Sequence, residues 1–485
     1  MIAALVLVPL LAGFALYAVP RSREALATGI GVAVSAAMFV LAALATGAPD
    51  ETLIWLQRPF TANFHVGLGA GPSLWFVLLL TLVTACSLAG TRLPRQRDFV
   101  AQMLLLLGAM TGVFVSRDLL LFALFFDLQL IPTFLLLVGW SPDRSSNSAW
   151  RYLVYNLTGG LALLLGVAAF GIVQGSTDVI GSLAPDHVYL QGAVATWTFA
   201  GVAFAFAVKT PIWPFHTWMP PTYGDLPPPA AAVVSAVQSK AGLYGFLAIL
   251  LPLFPNTMHA AQPLFFSLGL VSLLYGAFAA LVQDDVKRIV AYSSLSHLGL
   301  IVLAIFSFNQ IALGGAIVYA IAHGLFSAGL FLVAGSIEAR EDTRSLERLG
   351  GLGGRSPRLA GGLVLVALAA LGLPGLCGFA GEILILTGLY GAGFVWQAGL
   401  ALIPIVLAAA YILRMYQGVM HGPPAADLPQ REDLTPLEIV ALAPIVAAIV
   451  LLGLNPGPVT RLPAPVSGSP LATSAVPATP KVAAR

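Results

Sequence analysis

Six ionisable side chains stand inside apolar runs of this 485-residue sequence: Asp127, Lys209, Lys240, His297, His323 and Glu382. Each lies on a different run. A lysine in hydrocarbon costs roughly 2.5–3.5 kcal/mol on insertion scales, so two of them on neighbouring runs imply a use. Acids, amines and imidazoles in one row suit proton-holding sites rather than the oxygen cage a sodium ion prefers. Asp127, in LLLFALFFDLQLIPTFLLLVGW, has no obvious helix terminus nearby and must be protonated or paired with a cation. Lys209 stands two residues before Pro211, where a broken backbone is tolerated only if packed in protein or wetted. Desolvation disfavours a charged amine and a nearby carboxylate favours it, so a lysine between the two effects can bind and release a proton. A static ion pair with Asp127 is the plainer alternative.

The remaining candidates follow the same logic. Lys240 is accompanied by Ser235, Gln238 and Ser239, and either joins a relay or snorkels to an interface. His297 has Ser293 and Ser294 about one turn below it, and His323 has Tyr319 at i−4 and Ser327 at i+4, a polar stripe able to hold waters. Glu382 follows the break GLPGLCGFAG and reads as the terminal carboxylate of a proton path. His216, in PFHTWMPP, is a proton-uptake group or a loop contact. Asp118, in SRDLL, reads as a helix cap. No His/Cys/carboxylate spacing supports a metal, and no glycine-rich phosphate loop supports a cofactor. Cys86 and Cys377 both sit in apolar context with no CxxC, so neither a disulfide framework nor an iron–sulfur site is supported.

What must position these groups is a membrane domain. The chain is 58% hydrophobic and 9% charged, against about 25% charged in soluble domains. A net charge of +2 without a basic run excludes nucleic-acid binding. Apolar runs near the spanning length of about 20 residues fall at 2–19, 26–46, 72–91, 99–115, 118–140, 149–173, 194–217, 228–254, 261–282, 288–308, 311–337, 360–392, 397–418 and 435–453. The expected fold is all-α, a polytopic membrane protein of about 14 transmembrane helices. Alternate connections hold sixteen of the 23 Lys and Arg residues, which fits the positive-inside rule and places both termini outside. The first run precedes Arg21 and Arg23, so it reads as a retained span and not a signal peptide. Loop 47–71 reads as an interfacial cap, and the Pro-, Ala- and Ser-rich segment 455–485 as a disordered tail.

The chain divides into N-terminal helices over 1–98, a five-helix block over 99–254, a second over 261–418, and a last helix at 435–453. Each block carries a break in its fourth member, PIWP in span 7 and GLPGLCG in span 12. An odd helix number forces the second block to be inverted relative to the first, the layout of transporters with paired discontinuous helices.

The segments FFDLQLIPTFLLLVGW, FAVKTPIWPFHTWMPP, SKAGLYGF, DVKRIVAYSSLSHLGL, IAHGLFSAGLFLVAG and GLPGLCGFAGE together resemble the antiporter-like subunits of respiratory complex I. Glu382 and the short tail are most similar to the M-type branch. The resemblance implies two inverted five-helix repeats in the proton-pumping arm of NADH–quinone oxidoreductase, in a bacterial inner membrane, with L-like and N-like subunits and lipid as neighbours. It implies no cofactor and no redox chemistry in this chain, whose enzymatic role is that of a translocase subunit. It also implies a pair of Asp127 with Lys209, a relay through Lys240, His297 and His323, and an exit at Glu382. The family's span 5 acid is normally glutamate, and here it is aspartate. Two further readings stay open: a subunit of a multi-subunit sodium/proton antiporter, and a membrane scaffold with incidental buried polar groups.

Overall fold

The computed structural model describes residues 1–69, 71–141, 146–178, 190, 192–423 and 432–460. The expected tail over 455–485 therefore lies mostly outside the described residues. In chain order the elements are α1 (Ile2–Leu16), α2 (Glu24–Leu44), β1 (Glu51–Leu56), β2 (Ala62–Val66), α3 (Pro72–Ala89), α4 (Gln96–Val115), α5 (Leu119–Leu128), α6 (Leu130–Trp140), α7 (Ser146–Gln174), α8 (Gly192–Lys209) and α9 (Met219–Asp225). The next crossing, Pro228–Leu253, runs as α10 (Pro228–Val233), a π segment (Val234–Gln238), α11 (Lys240–Gly245), a second π segment (Phe246–Leu250) and α12 (Leu251–Leu253). Then come α13 (Pro255–Ala260), α14 (Gln262–Leu281), α15 (Val286–Phe306), α16 (Gln310–Glu341), α17 (Leu352–Arg355), α18 (Pro357–Ala370), α19 (Cys377–Gly391), α20 (Val395–Met420), α21 (Pro436–Leu454) and α22 (Gly457–Thr460).

Among the described residues, 12 helical spans are long and apolar enough to cross a membrane, and α1, α18 and α19 are shorter apolar helices. This is a multi-pass membrane protein. The expectation of a purely helical chain needs one correction. Within the expected cap, β1 and β2 form an antiparallel hairpin pairing Glu51 with Val66 and Leu53 with Phe64, with an irregularity between Ile54 and Leu56. The β-branched and aromatic residues of TLIWL and NFHV favour a pleated strand, and the flanking turn residues bound it.

Enclosure differs among the crossings. The windows of α15 and α16 are 94% buried and those of α4 and Pro228–Leu253 are 89% buried, whereas those of α2 and α21 are 28% buried. A helix apolar all round belongs inside a bundle, and α15 and α16 are of that kind. Glycines let α14 and α15 approach: a side chain at Gly276 would overlap the backbone of Ser296, and one at Gly299 the backbone of Leu273.

The anticipated breaks exist, and their backbone groups are accounted for as a membrane demands. Past α8, Ile212 N–H donates to the Ala207 carbonyl, so the Val208 carbonyl is left over and accepts from the Trp218 indole at 3.0 Å. Trp213 N–H donates to Ser272 Oγ at 2.7 Å. Between α18 and α19, Gly372 and Gly375 take φ of +69° and +91°, a region other residues rarely adopt. Asp118 caps α5, as its sequence context indicated, accepting from the N–H groups of Leu120 and Leu121. It also accepts from Asn63 N–H and the Thr177 hydroxyl, so one carboxylate ties the hairpin and the end of α7 to α5. Burial raises the Asp118 pKa against those donors. Asp118→Ala is expected to cost about 2 kcal/mol, read as a lower melting temperature of the purified protein, because it removes a cap and orphans a buried donor.

Candidate proton-relay site

Asp127 lies at the end of α5, not in mid-helix. Pro132 has no N–H to give the Leu128 carbonyl, and the helix is interrupted at Gln129 before α6 resumes. The expectation that no terminus lies near Asp127 is thereby corrected. The carboxylate packs against Gly160 of α7, where any side chain would overlap it. One of its oxygens is buried without a hydrogen-bond partner. Gly160→Ala is expected to displace the carboxylate and cost about 1–3 kcal/mol by overpacking. The check is whether proton transport falls although no charge has changed.

Lys209 ends α8 at the break, 1% exposed. Its amine has no hydrogen-bond partner and sits 5.1 Å from the centroid of the Phe126 ring. The expected ion pair with Asp127 is not formed among the described residues, although the two charges still act on each other; the amine and one Asp127 oxygen have no hydrogen-bond partner. At 4 Å an ion pair is worth about 4 kcal/mol at an effective dielectric of 20. Closing to that distance would strengthen the attraction the two charges already feel.

The second half of the site is connected. The Lys240 amine donates to the Ser235 carbonyl at 2.7 Å and shares a hydrogen bond of 2.6 Å with His323 Nδ1. This excludes snorkelling, because Lys240 is fully buried. The π segment Val234–Gln238 ends just before Lys240; such bulges re-aim side chains and gather at functional positions. The His323 and His297 rings stand 5.6 Å apart, and Phe326 packs against both. His323 Nε2 is buried without a partner. Beyond that gap, His297 Nδ1 meets the Tyr319 hydroxyl at 2.6 Å, and the hydroxyl meets Glu382 Oε1 at 2.7 Å. Glu382 is 6% exposed at the start of α19, and its other oxygen fills the space a side chain at Gly372 would need.

Residues 116–408 match the family model described as NADH:quinone oxidoreductase/Mrp antiporter, transmembrane. The chain belongs to that family. A relative from Rhodobacter capsulatus, "NADH-quinone oxidoreductase subunit M", is 35% identical over 423 residues, covering 84% of this chain and 82% of the relative. A chain in "Respiratory complex I from Thermus thermophilus with bound NADH" superposes with a TM-score of 0.86 at 32% identity, covering 95% and 97% of the two chains. A chain of the Mrp complex from Dietzia sp. gives a TM-score of 0.82 at 22% identity, covering 93% and 94%, a likeness of fold.

In this quinone oxidoreductase/Mrp antiporter chain, the structure gathers Lys240, His297, His323 and Glu382 into one cluster. Asp127 and Lys209 form a second one. Gln238, two residues before Lys240, donates its amide to Thr133 of α6 at 3.1 Å and Tyr152 of α7 at 2.8 Å. His216 joins neither cluster. It is 5% exposed, set edge-on to Tyr275 at 5.0 Å, with Nδ1 unpartnered. Ser293 and Ser294 turn back to the Val290 carbonyl and do not serve His297. Ser327 bonds Ser235 at 3.0 Å. Sequence reasoning placed Tyr319 on the stripe but did not tie it to Glu382. Its position at i−4 from His323 was the signal.

Proposed function

We propose that this chain is the M-type proton-translocating membrane subunit of a bacterial NADH–quinone oxidoreductase. Protons pass from Lys240 through His323 and His297 to Glu382. The single observation that carries the reading is that uninterrupted pair of hydrogen bonds, His297–Tyr319–Glu382, beside the Lys240–His323 contact on the most enclosed helices. The identity of relatives named as subunit M supports the assignment to that complex. Asp127 and Lys209 act as the switch: approach of the carboxylate holds the amine's proton, and separation releases it toward Gln238 and Lys240.

In this reading, α1 and the broken pair α18–α19 complete fourteen crossings together with the 12 long spans. The blocks 99–254 and 261–418 are inverted repeats, both termini lie outside, and the inner membrane is the site. L-like and N-like subunits are the neighbours, and the trigger reaches the chain from quinone reduction elsewhere in the complex. No redox step is assigned to this chain.

Purifying the tagged chain from its native membrane is the test. Co-purifying redox subunits and NADH-driven proton pumping in vesicles support the reading. Small antiporter subunits and NADH-independent sodium/proton exchange would replace it with the antiporter, a reading favoured by the fold likeness to the Mrp complex.

A further inference from the structure

We infer that Tyr319 is itself a proton-carrying member of the path, the group through which every proton reaching Glu382 must pass. The inference rests on the relay reading above and deepens it. Tyr319 is fully buried on α16, and its hydroxyl is the one atom within hydrogen-bond reach of both His297 Nδ1 (2.6 Å) and Glu382 Oε1 (2.7 Å) among the described residues. A phenol has one hydrogen to give and lone pairs to receive. When it donates to the carboxylate, it must accept from His297, which fixes the proton of that imidazole on Nδ1.

The surroundings are built around this contact. At Gly381, the residue before Glu382, a side chain would overlap the Cα and Cβ of Tyr319. The same is true of Gly388 against Ala312, one helical repeat further along the α16–α19 seam. Glycines at these two places let the helices close until the carboxylate reaches the hydroxyl. Phe326 lies against the rings of His297 and Tyr319, so apolar packing covers the hydroxyl's flank. A carboxylate serving only as a fixed charge would need no such approach.

The transfer balances without any further reactant. The His297 Nδ1–H bond breaks as an O–H bond forms on Tyr319. In the same motion the original phenol O–H breaks and its proton joins the Glu382 carboxylate. Tyr319 stays neutral, the imidazolium becomes imidazole, and the carboxylate becomes a carboxylic acid. After Glu382 gives its proton outward, the hydroxyl rotates about its C–O bond to face the carboxylate again, and His297 moves its remaining proton from Nε2 to Nδ1 by a ring flip or tautomer shift before it takes up the next one.

The test uses the whole complex in sealed vesicles, with Tyr319→Phe beside Glu382→Gln. Phenylalanine keeps the ring and removes only the oxygen. The expected result is an assembled complex in which Tyr319→Phe loses as much pumping per NADH oxidised as Glu382→Gln. If Tyr319→Phe pumps like the parent while Glu382→Gln does not, the bridge is overturned and the relay stands. If both pump like the parent, the relay falls and the bridge with it. Infrared difference spectra of the parent, with and without ring-labelled tyrosine, read the proposal where the variant fails to assemble. A tyrosine C–O band that changes together with the Glu382 carbonyl band supports it, and the absence of any tyrosine band refutes it.

Discussion

Replacing Glu382 by glutamine is expected to abolish proton pumping by the assembled complex while leaving the complex intact. Glutamine has nearly the same shape, and its carbonyl oxygen can still accept the Tyr319 hydroxyl at the place where Oε1 now stands. What it cannot do is take up and release a proton near neutral pH, because its amide does not titrate. Packing at Gly372 and Gly381 is therefore kept, and only the terminal proton store is lost. Acid-quenched dye fluorescence in inverted vesicles reads pumping, and native gel mobility with NADH oxidation reads assembly. Undiminished pumping would remove Glu382 from the path. Glu382→Asp is a useful partner: one methylene shorter, the carboxylate retains its proton chemistry and loses its reach to the hydroxyl, so intermediate pumping is expected.

The second large effect is on stability, at the far end of α16. Arg340 meets both carboxylate oxygens of Glu438, at 2.9 and 2.8 Å, and also donates to the Glu432 and Asp433 carbonyls. Glu438 in turn completes a capping box with Thr435 and accepts from Ser336. Arg340 thus joins α16 to the start of α21 through a fork that only a guanidinium fits. Breaking this part-buried pair is expected to cost about 1–3 kcal/mol, since Glu438 loses two charge-assisted hydrogen bonds and keeps only those from Ser336 and Thr435. Arg340→Ala is expected to lower the melting temperature of the purified protein and its steady-state amount in the membrane. Arg340→Lys should restore little of either, because a single ammonium cannot span both oxygens and both carbonyls. A variant as stable as the parent would show that the α16–α21 junction is held by apolar packing alone.

These two sites differ in how far they could be read from the chain. Glu382 stood out in the sequence because a carboxylate after a Gly/Pro break in an apolar run has few ordinary uses. Its partner did not stand out: Tyr319 is 63 residues away, and a tyrosine in an oily helix carries no cost that demands explanation. The same contrast holds at Asp127. Its burial was legible, yet the interruption at Gln129 came from Pro132, a residue whose effect reaches one turn back along the helix. The distance between Asp127 and Lys209 was not legible at all, because it depends on tertiary packing: Gly160 of α7 meets the Asp127 carboxylate, and the Phe126 ring lies beside the Lys209 amine. The two π segments around Lys240 were likewise silent in a sequence whose local pattern is simply apolar.

Composition, run length and the energetic cost of charge in hydrocarbon were enough, unaided, to fix a multi-pass membrane protein, its broken helices and the handful of buried titratable groups. Each of those is a local property, set by a residue and its immediate neighbours along the chain. Tertiary packing alone decided which of the groups touch: Lys240 with His323, His297 with Tyr319, Tyr319 with Glu382, while Asp127 and Lys209 stay near each other without a hydrogen bond. Hydrogen bonds act over about 3 Å, and a proton path exists only where helices close to that distance. Here that closeness is granted by glycines facing the partner helix.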